Sequence, residues 1–382
     1  MNKKLTTLLI TMALIVPTYT VAKADSATIP AVAILDTAID TSLPAFQGKI
    51  IQEVCVLQKA LCPNGTAFME GPGAASMPSN LITLNGFDHG TLMTSTFIMQ
   101  NPNVNVVFIK IIPNTETGAR VATAADPTVA AALQWVISNA SKYNIQAVTM
   151  SQGHHVLGAA GTDYCPKYQN ATYNAVSKLY SMEIPTFFPA GNGRDYQRLD
   201  WPGCLFEAVT VGHTDSIGDI SVASNYNDSL DFFARGQWSV AGPGNIVKNT
   251  LGSSGATQIA AAVYLQIKSK FGYTHAQVLK LMSSTAVKTT GRQGTFNKLI
   301  SLDKAMASTA FEPTSVSTPT VSKPTGPTPE EIAAQQAAAK AALQAEVDAA
   351  IAAAQAEYDA TVKAAADKLA STKAVWMAKL NG

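Results

Sequence analysis

The sequence predicts an α/β fold: a parallel sheet with helices on both faces, followed by a long Ala-rich C-terminal helix. Three observations predict it. Short, nearly continuous apolar runs recur between residues 25 and 310, as strands buried on both faces require. Longer segments of helical pattern alternate with them. Near residue 311 the composition turns to Pro, Thr and Ser, and after residue 329 Ala dominates.

The N-terminus comes first. Lys3 and Lys4 precede an apolar stretch, Leu5 to Val16, that Pro17 ends. The small-x-small run "AKA", Ala22 to Ala24, follows, so residues 1–24 read as an export signal cut after Ala24. A membrane anchor is the other reading, but the run is short and interrupted by Thr. No later segment is long and apolar enough to cross a bilayer. The product is expected to be exported: secreted, periplasmic or at the cell surface.

Buried strands are expected at "AVAILD" (31–36), "NVVFIKII" (105–112), "AVTMS" (147–151), "PTFFPA" (185–190) and "EAVTVG" (207–212). Helices are expected at 126–143, 170–182, 255–272 and 274–286, the last after a Thr cap. With 382 residues, 47% of them hydrophobic, the chain can bury one large core and carry an appendage. A net charge of +1 gives no reason to expect nucleic acid or an anionic membrane as partner, and 14% charged residues exclude global disorder.

Residues 311–329 read as a stiff, extended linker. At the start of residues 330–382, Glu331 completes a helix-start signal with Thr328 and Pro329 just before it. The larger apolar residues recur every eleven positions, as in Val347, Tyr358, Leu369 and Leu380. Such a rod of fifty residues would be about 75 Å long. Its thin apolar stripe suits self-association or docking on a partner, and equally a solvated spacer.

Four cysteines fit an oxidising compartment and allow three pairings. Cys55 and Cys62 are close enough for a local loop, which leaves Cys165 and Cys204 for each other.

In open parallel sheets functional groups collect at the carboxyl ends of strands. Asp36 ends the first strand. Asn192 follows a later one in "FPAGNGR", and Ser254 directly precedes a long apolar helix in "LGSSGATQIAAAV". His89 lies in "GFDHGTLMTSTF". These four suit acyl transfer. A serine needs a base, which His89 can be; the imidazole needs an acid to hold its tautomer, which Asp36 can be. The Asn192 amide and the Ser254 backbone N–H can meet an oxyanion, with the helix dipole behind them.

The chain resembles the subtilisin-like serine proteases. The family's Asp motif "VAVLDTGID" is "VAILDTAID" here, and its His motif "HGTHVAG" is "HGTLMTS". Its oxyanion motif "AAGN" is "PAGN", which includes Gly191 and Asn192; its Ser motif "GTSMAAPHVAG" is "GSSGATQIAAA". The cleft motif "SLG" is "SQG", Ser151, Gln152 and Gly153. The resemblance covers Val32 to Ala262 in the order Asp, His, Ser. It implies a catalytic domain at 25–310, an endopeptidase acting on polypeptides, and peptide binding along Ser151 to Gly153 and Gly191. No cofactor is implied. Family members often bind calcium, but no acidic cluster is dense enough to assign a metal site.

Departures accompany the match. Leu92, Thr94, Ser95, Ala38, Gly255 and Gln258 replace usual family residues, while the triad and the oxyanion Asn are kept. About six residues separate the expected signal cut from the first strand, too few for the folding-assisting pro-region of many secreted members. These features motivate a second reading: a weakly active or inactive binding scaffold whose tail mediates association. A lipase-type elbow is not expected, because Ala256 breaks its glycine pattern and only His275 follows Ser254. The adjacent His154 and His155 read as a loop or surface pair, not metal ligands.

Overall fold

The computed structural model describes residues 29–59, 61–84, 86–113, 121, 124–155, 165 and 171–308. The expected signal (1–24), linker (311–329) and helical tail (330–382) lie outside the described residues. In chain order the elements are β1 (Ala31–Asp36), β2 (Ile50–Val56), β3 (Phe68–Glu70), α1 (Ser79–Leu84), α2 (His89–Gln100), β4 (Asn105–Lys110) and α3 (Asp126–Tyr143). Next come β5 (Ile145–Met150), α4 (Ala171–Ser181), β6 (Thr186–Pro189), β7 (Val209–Thr214), β8 (Phe232–Arg235), β9 (Trp238–Ala241) and β10 (Val247–Thr250). The chain continues through α5 (Ser253–Phe271), α6 (His275–Thr285), β11 (Val287–Gly291), β12 (Gly294–Leu299) and α7 (Leu302–Ala307).

Ten strands form one sheet in the order β11-β12-β8-β7-β6-β5-β1-β4-β2-β3. Every pair from β12 to β2 is parallel; only β2–β3 and β11–β12, at the two edges, are antiparallel. β9 and β10 form a separate antiparallel hairpin. Strand alternation divides the core by face. Val32, Ile34, Val106 and Phe108 pack with Phe97 of α2, Ile259 and Val263 of α5 and Val278 of α6. Ala31, Ala33, Leu35, Val107 and Ile109 pack with Leu133 and Val136 of α3 and Val176 and Leu179 of α4. Because both faces are covered, the central strands lost their polar positions, which is why they were readable as apolar runs.

The central helix α5 lies against the sheet on a row of small residues. Ala256, Ala260, Ala261 and Ala262 are all fully buried. Thr274 caps α6 through a reciprocal box with Gln277. Cys55 is bonded to Cys62 and Cys165 to Cys204, the expected pairing. Among the described residues, no helix is long and apolar enough to cross a membrane.

Candidate active site

The site is built from the carboxyl end of β1 outward. Asp36 is its last residue and is fully buried. Its Oδ1 accepts from the Thr37 N–H at 2.7 Å and lies 2.8 Å from His89 Nδ1. A carboxylate cannot donate, so Nδ1 carries the proton and Nε2 is left as the basic nitrogen.

His89 opens α2, and the chain around it is clamped to the loop after β1. Thr37 Oγ1 donates to the Phe87 carbonyl at 2.8 Å and accepts from the Gly90 N–H at 2.9 Å. Thr91 Oγ1 accepts from the Asp40 N–H at 2.9 Å, so it ties the helix to that loop. The contact at Gly90 is close: a β-carbon there would lie 2.4 Å from the Ala38 carbonyl oxygen and 2.6 Å from the Phe108 ring. Asp88, just before the histidine, pairs with Lys248 of β10 at 2.7 Å and makes no side-chain cap. After His89, which is 25% exposed, the helix buries Met93, Thr94, Thr96 and Phe97.

Ser254 is the second residue of α5, after Gly252 at φ +90°. It is joined to the strand-end segment Ser151–Gly153 by two bonds. Ser151 Oγ donates to the Ser254 carbonyl at 2.9 Å, and Ser254 Oγ to the Ser151 carbonyl at 3.3 Å. The next residue, Gln152, reaches Asp36 Oδ1 with Nε2 at 3.3 Å. The dipeptide Ser151-Gln152 therefore links the hydroxyl to the acid–imidazole pair. Gln258, in place of the family's proline, is fully buried and donates to both Ser151 Oγ and Thr149 Oγ1 at 2.9 Å.

Asn192 follows β6. Its Oδ1 accepts from the Ser253 N–H at 2.9 Å and from Ser253 Oγ at 3.1 Å. That fixes the amide with its NH₂ beside the Ser254 N–H in the first turn of α5. Gly191 has φ +107°, and a β-carbon there would lie 2.4 Å from Asn225 Nδ2. Asn225 braces this loop: its Oδ1 accepts from the Gly193 and Asp195 N–H groups at 2.8 and 3.0 Å, and its Nδ2 donates to Asp200 at 3.1 Å.

Next to Asn192 and Gly252 opens a cavity of about 420 Å³ lined also by His213, Asp215, Ser221 and Leu251. Burial pushes the His213 pKa down to about 4, so its ring is neutral at ordinary pH. On the opposite side His154 pairs with Trp201 through both backbone groups, and the Trp201 indole donates to Asp126 at 2.8 Å. His155 lies 3.2 Å from Asp200 and 3.6 Å from Asp195. Burial raises the Asp200 pKa, against the pull of His155. Among the described residues no group of three or more His, Cys, Asp or Glu side chains is arranged to hold a metal ion.

Asp36, His89, Ser151, Gln152, Gly191, Asn192 and Ser254 thus meet at the carboxyl ends of β1, β5 and β6 and at the head of α5. Gly153 stands against Trp201 and Asp200. Thr37 and Asn225 are not among the expected site residues, and Gln258 is expected only as a departure from the family's proline. Thr37 had a signal, its place in the Asp motif; Asn225 had none.

A ten-stranded, largely parallel sheet carrying this acid, imidazole and hydroxyl has the architecture of the subtilisin-like α/β proteins. The model of the Subtilase family, Peptidase_S8, matches residues 28–326, and the chain belongs to that family. Over 206 residues it is 27% identical to alkaline serine exoprotease A of Vibrio alginolyticus, covering 52% of this chain and 34% of that protein. The chain thus spans about a third of that curated relative's length. Among solved structures it is similar to the prenylagaramide maturation protease PagA, with a TM-score of 0.54 and 18% identity over 74% of this chain and 93% of that one. It is also similar to a cold-adapted subtilisin-like serine proteinase, with a TM-score of 0.51 and 22% identity over 72% of this chain and 89% of that one. At these identities the solved structures speak for the fold.

Proposed function

We propose that the protein is an exported serine endopeptidase that hydrolyses peptide bonds in polypeptides. The observation that carries this reading is the Asp36–His89 bond of 2.8 Å, joined through Ser151-Gln152 to Ser254. Ser254 Oγ attacks the scissile carbonyl carbon while His89 Nε2 takes its proton. Asp36 holds the imidazole in the Nδ1–H tautomer and stabilises the imidazolium. The developing oxyanion is met by Asn192 Nδ2 and the Ser254 N–H at the positive end of α5. The imidazolium then protonates the leaving amine, the amine departs, and water attacks the acyl-enzyme with His89 as base. Ser151 to Gly153 and Gly191 offer backbone to an extended peptide. Export is supported by the leader-like N-terminus and by the two disulfides.

A fluorophosphonate probe tests the assignment. Labelling of the folded protein at Ser254, lost in Ser254→Ala together with hydrolysis of a protein substrate, is the expected result. A folded protein that takes no label fits the scaffold reading; a Ser254→Ala variant as active as wild type rejects the nucleophile.

A further inference from the structure

The Gln152 side chain has no part in the chemistry just described, although it touches the two groups that drive it. This inference rests on the proposed roles of Asp36 and His89. Three donors converge on a single atom, Asp36 Oδ1: the Thr37 N–H at 2.7 Å, His89 Nδ1 at 2.8 Å and Gln152 Nε2 at 3.3 Å. The other oxygen, Oδ2, is buried and has no hydrogen-bond partner among the described residues. Gln152 therefore shares the oxygen that His89 uses.

The orientation of the amide is dictated by its neighbours. With Oε1 in that place, two acceptors would face each other across a buried gap. Gln152 Nε2 also lies 3.3 Å from His89 Nδ1, but with Nδ1 protonated toward Asp36 both are donors to a common acceptor. The residue is only 8% exposed, so water does not compete for the bond. Each donor to Oδ1 draws off negative charge that would otherwise stabilise the imidazolium.

We propose that Gln152 is a positioning residue that lowers the basicity of His89 by competing for Asp36 Oδ1, so that the ring remains a neutral base to lower pH. The charged and titratable groups around the pair come from several elements. Asp88 sits beside His89 with Lys248 of β10. Asp40, in the loop after β1, accepts from Ser42 and from the Gly244 N–H. Lys110 of β4 stands in register with Asp36, its ammonium over the Phe87 ring. His154 and His155 follow Gly153, and the first turn of α5 carries no charge. All of these are common to wild type and to Gln152 variants, so a difference between them reports Gln152.

The experiment is an NMR titration of the His89 ring in full-length Ser254→Ala protein, alone and combined with Gln152→Met or Gln152→Glu. It is paired with the acid limb of kcat/KM for the same Gln152 variants with Ser254 intact. Met keeps the length and removes the donor; the ring should then titrate about half a unit higher or more, and the acid limb should move with it. Glu adds a second carboxylate and should raise it further. A role in packing alone would lower kcat without moving either midpoint. Midpoints that stay at the wild-type value or fall in both variants overturn the proposal, and either variant suffices if the other does not fold. The ring titration needs no activity, so absence of probe labelling in the wild type would refute the protease reading while this test still returns its own answer.

Discussion

Gly90→Ala puts the geometry of the histidine to a quantitative test. In an exposed helix interior this change should help, by about 1 kcal/mol of propensity. Here the new β-carbon would lie 2.4 Å from the Ala38 carbonyl oxygen and 2.6 Å from the Phe108 ring. Neither can yield easily: one is backbone two residues beyond Asp36, the other is a fully buried ring. Restoring ordinary contact of about 3.4 Å requires the start of α2 to withdraw by about 1 Å. The same movement stretches the His89–Asp36 bond from 2.8 Å to well beyond hydrogen-bonding range. It also strains the Gly90 N–H bond to Thr37. Overpacking costs roughly 1–3 kcal/mol against that gain, so a net loss of up to about 2 kcal/mol is expected, or up to several degrees in Tm. A displacement of that size in the proposed base costs about a hundredfold in turnover. Thermal unfolding and kcat on a peptide substrate measure the two effects. A variant as stable as wild type with unchanged kcat would refute the claim that Gly90 is there to let α2 approach the strand.

Two further expectations concern stability. Burial pushes the pKa of His213 and His275 down to about 4 and that of Asp231 up to about 6. Between about 4 and 6.5 the unfolded chain binds more protons at each histidine, so stability falls as pH drops through that window; Asp231 acts in the opposite sense below about 6. The net loss should be roughly 3–4 kcal/mol between pH 7 and pH 4, read from denaturant unfolding, and His275→Gln should flatten the slope; an unchanged slope would count against the buried histidines. The two disulfides should differ. Cys165–Cys204 spans 39 residues and Cys55–Cys62 spans 7, so loop entropy assigns about 4 and about 2 kcal/mol to them. Paired Cys→Ala variants compared by unfolding would show the order, and a costlier loss at the short loop would contradict the entropic account.

Much of this architecture was legible because burial on both faces leaves a local trace. β1 and β4 carry uninterrupted apolar runs, β5, β6 and β7 mostly apolar ones broken by a few polar residues, and helix α3 was bounded by its own Asp-Pro start. The edges carried less. β3 is largely exposed, β11 buries a single residue and β12 is exposed to half-buried throughout, so none leaves a continuous apolar signal. The hairpin of β9 and β10 packs against α2 and has little apolar sequence of its own.

At the site, the sequence by itself pointed to the candidate residues, Asp36, His89, Asn192 and Ser254, because each sits in a short motif with neighbouring glycines and small residues. Only the tertiary structure decided how they are held. Gln152 reaches Asp36 across 116 positions, and Asp40 meets the Gly244 N–H across 204. A hydrogen bond between segments so far apart depends on where the sheet places their ends, and that placement leaves no periodic mark on either segment.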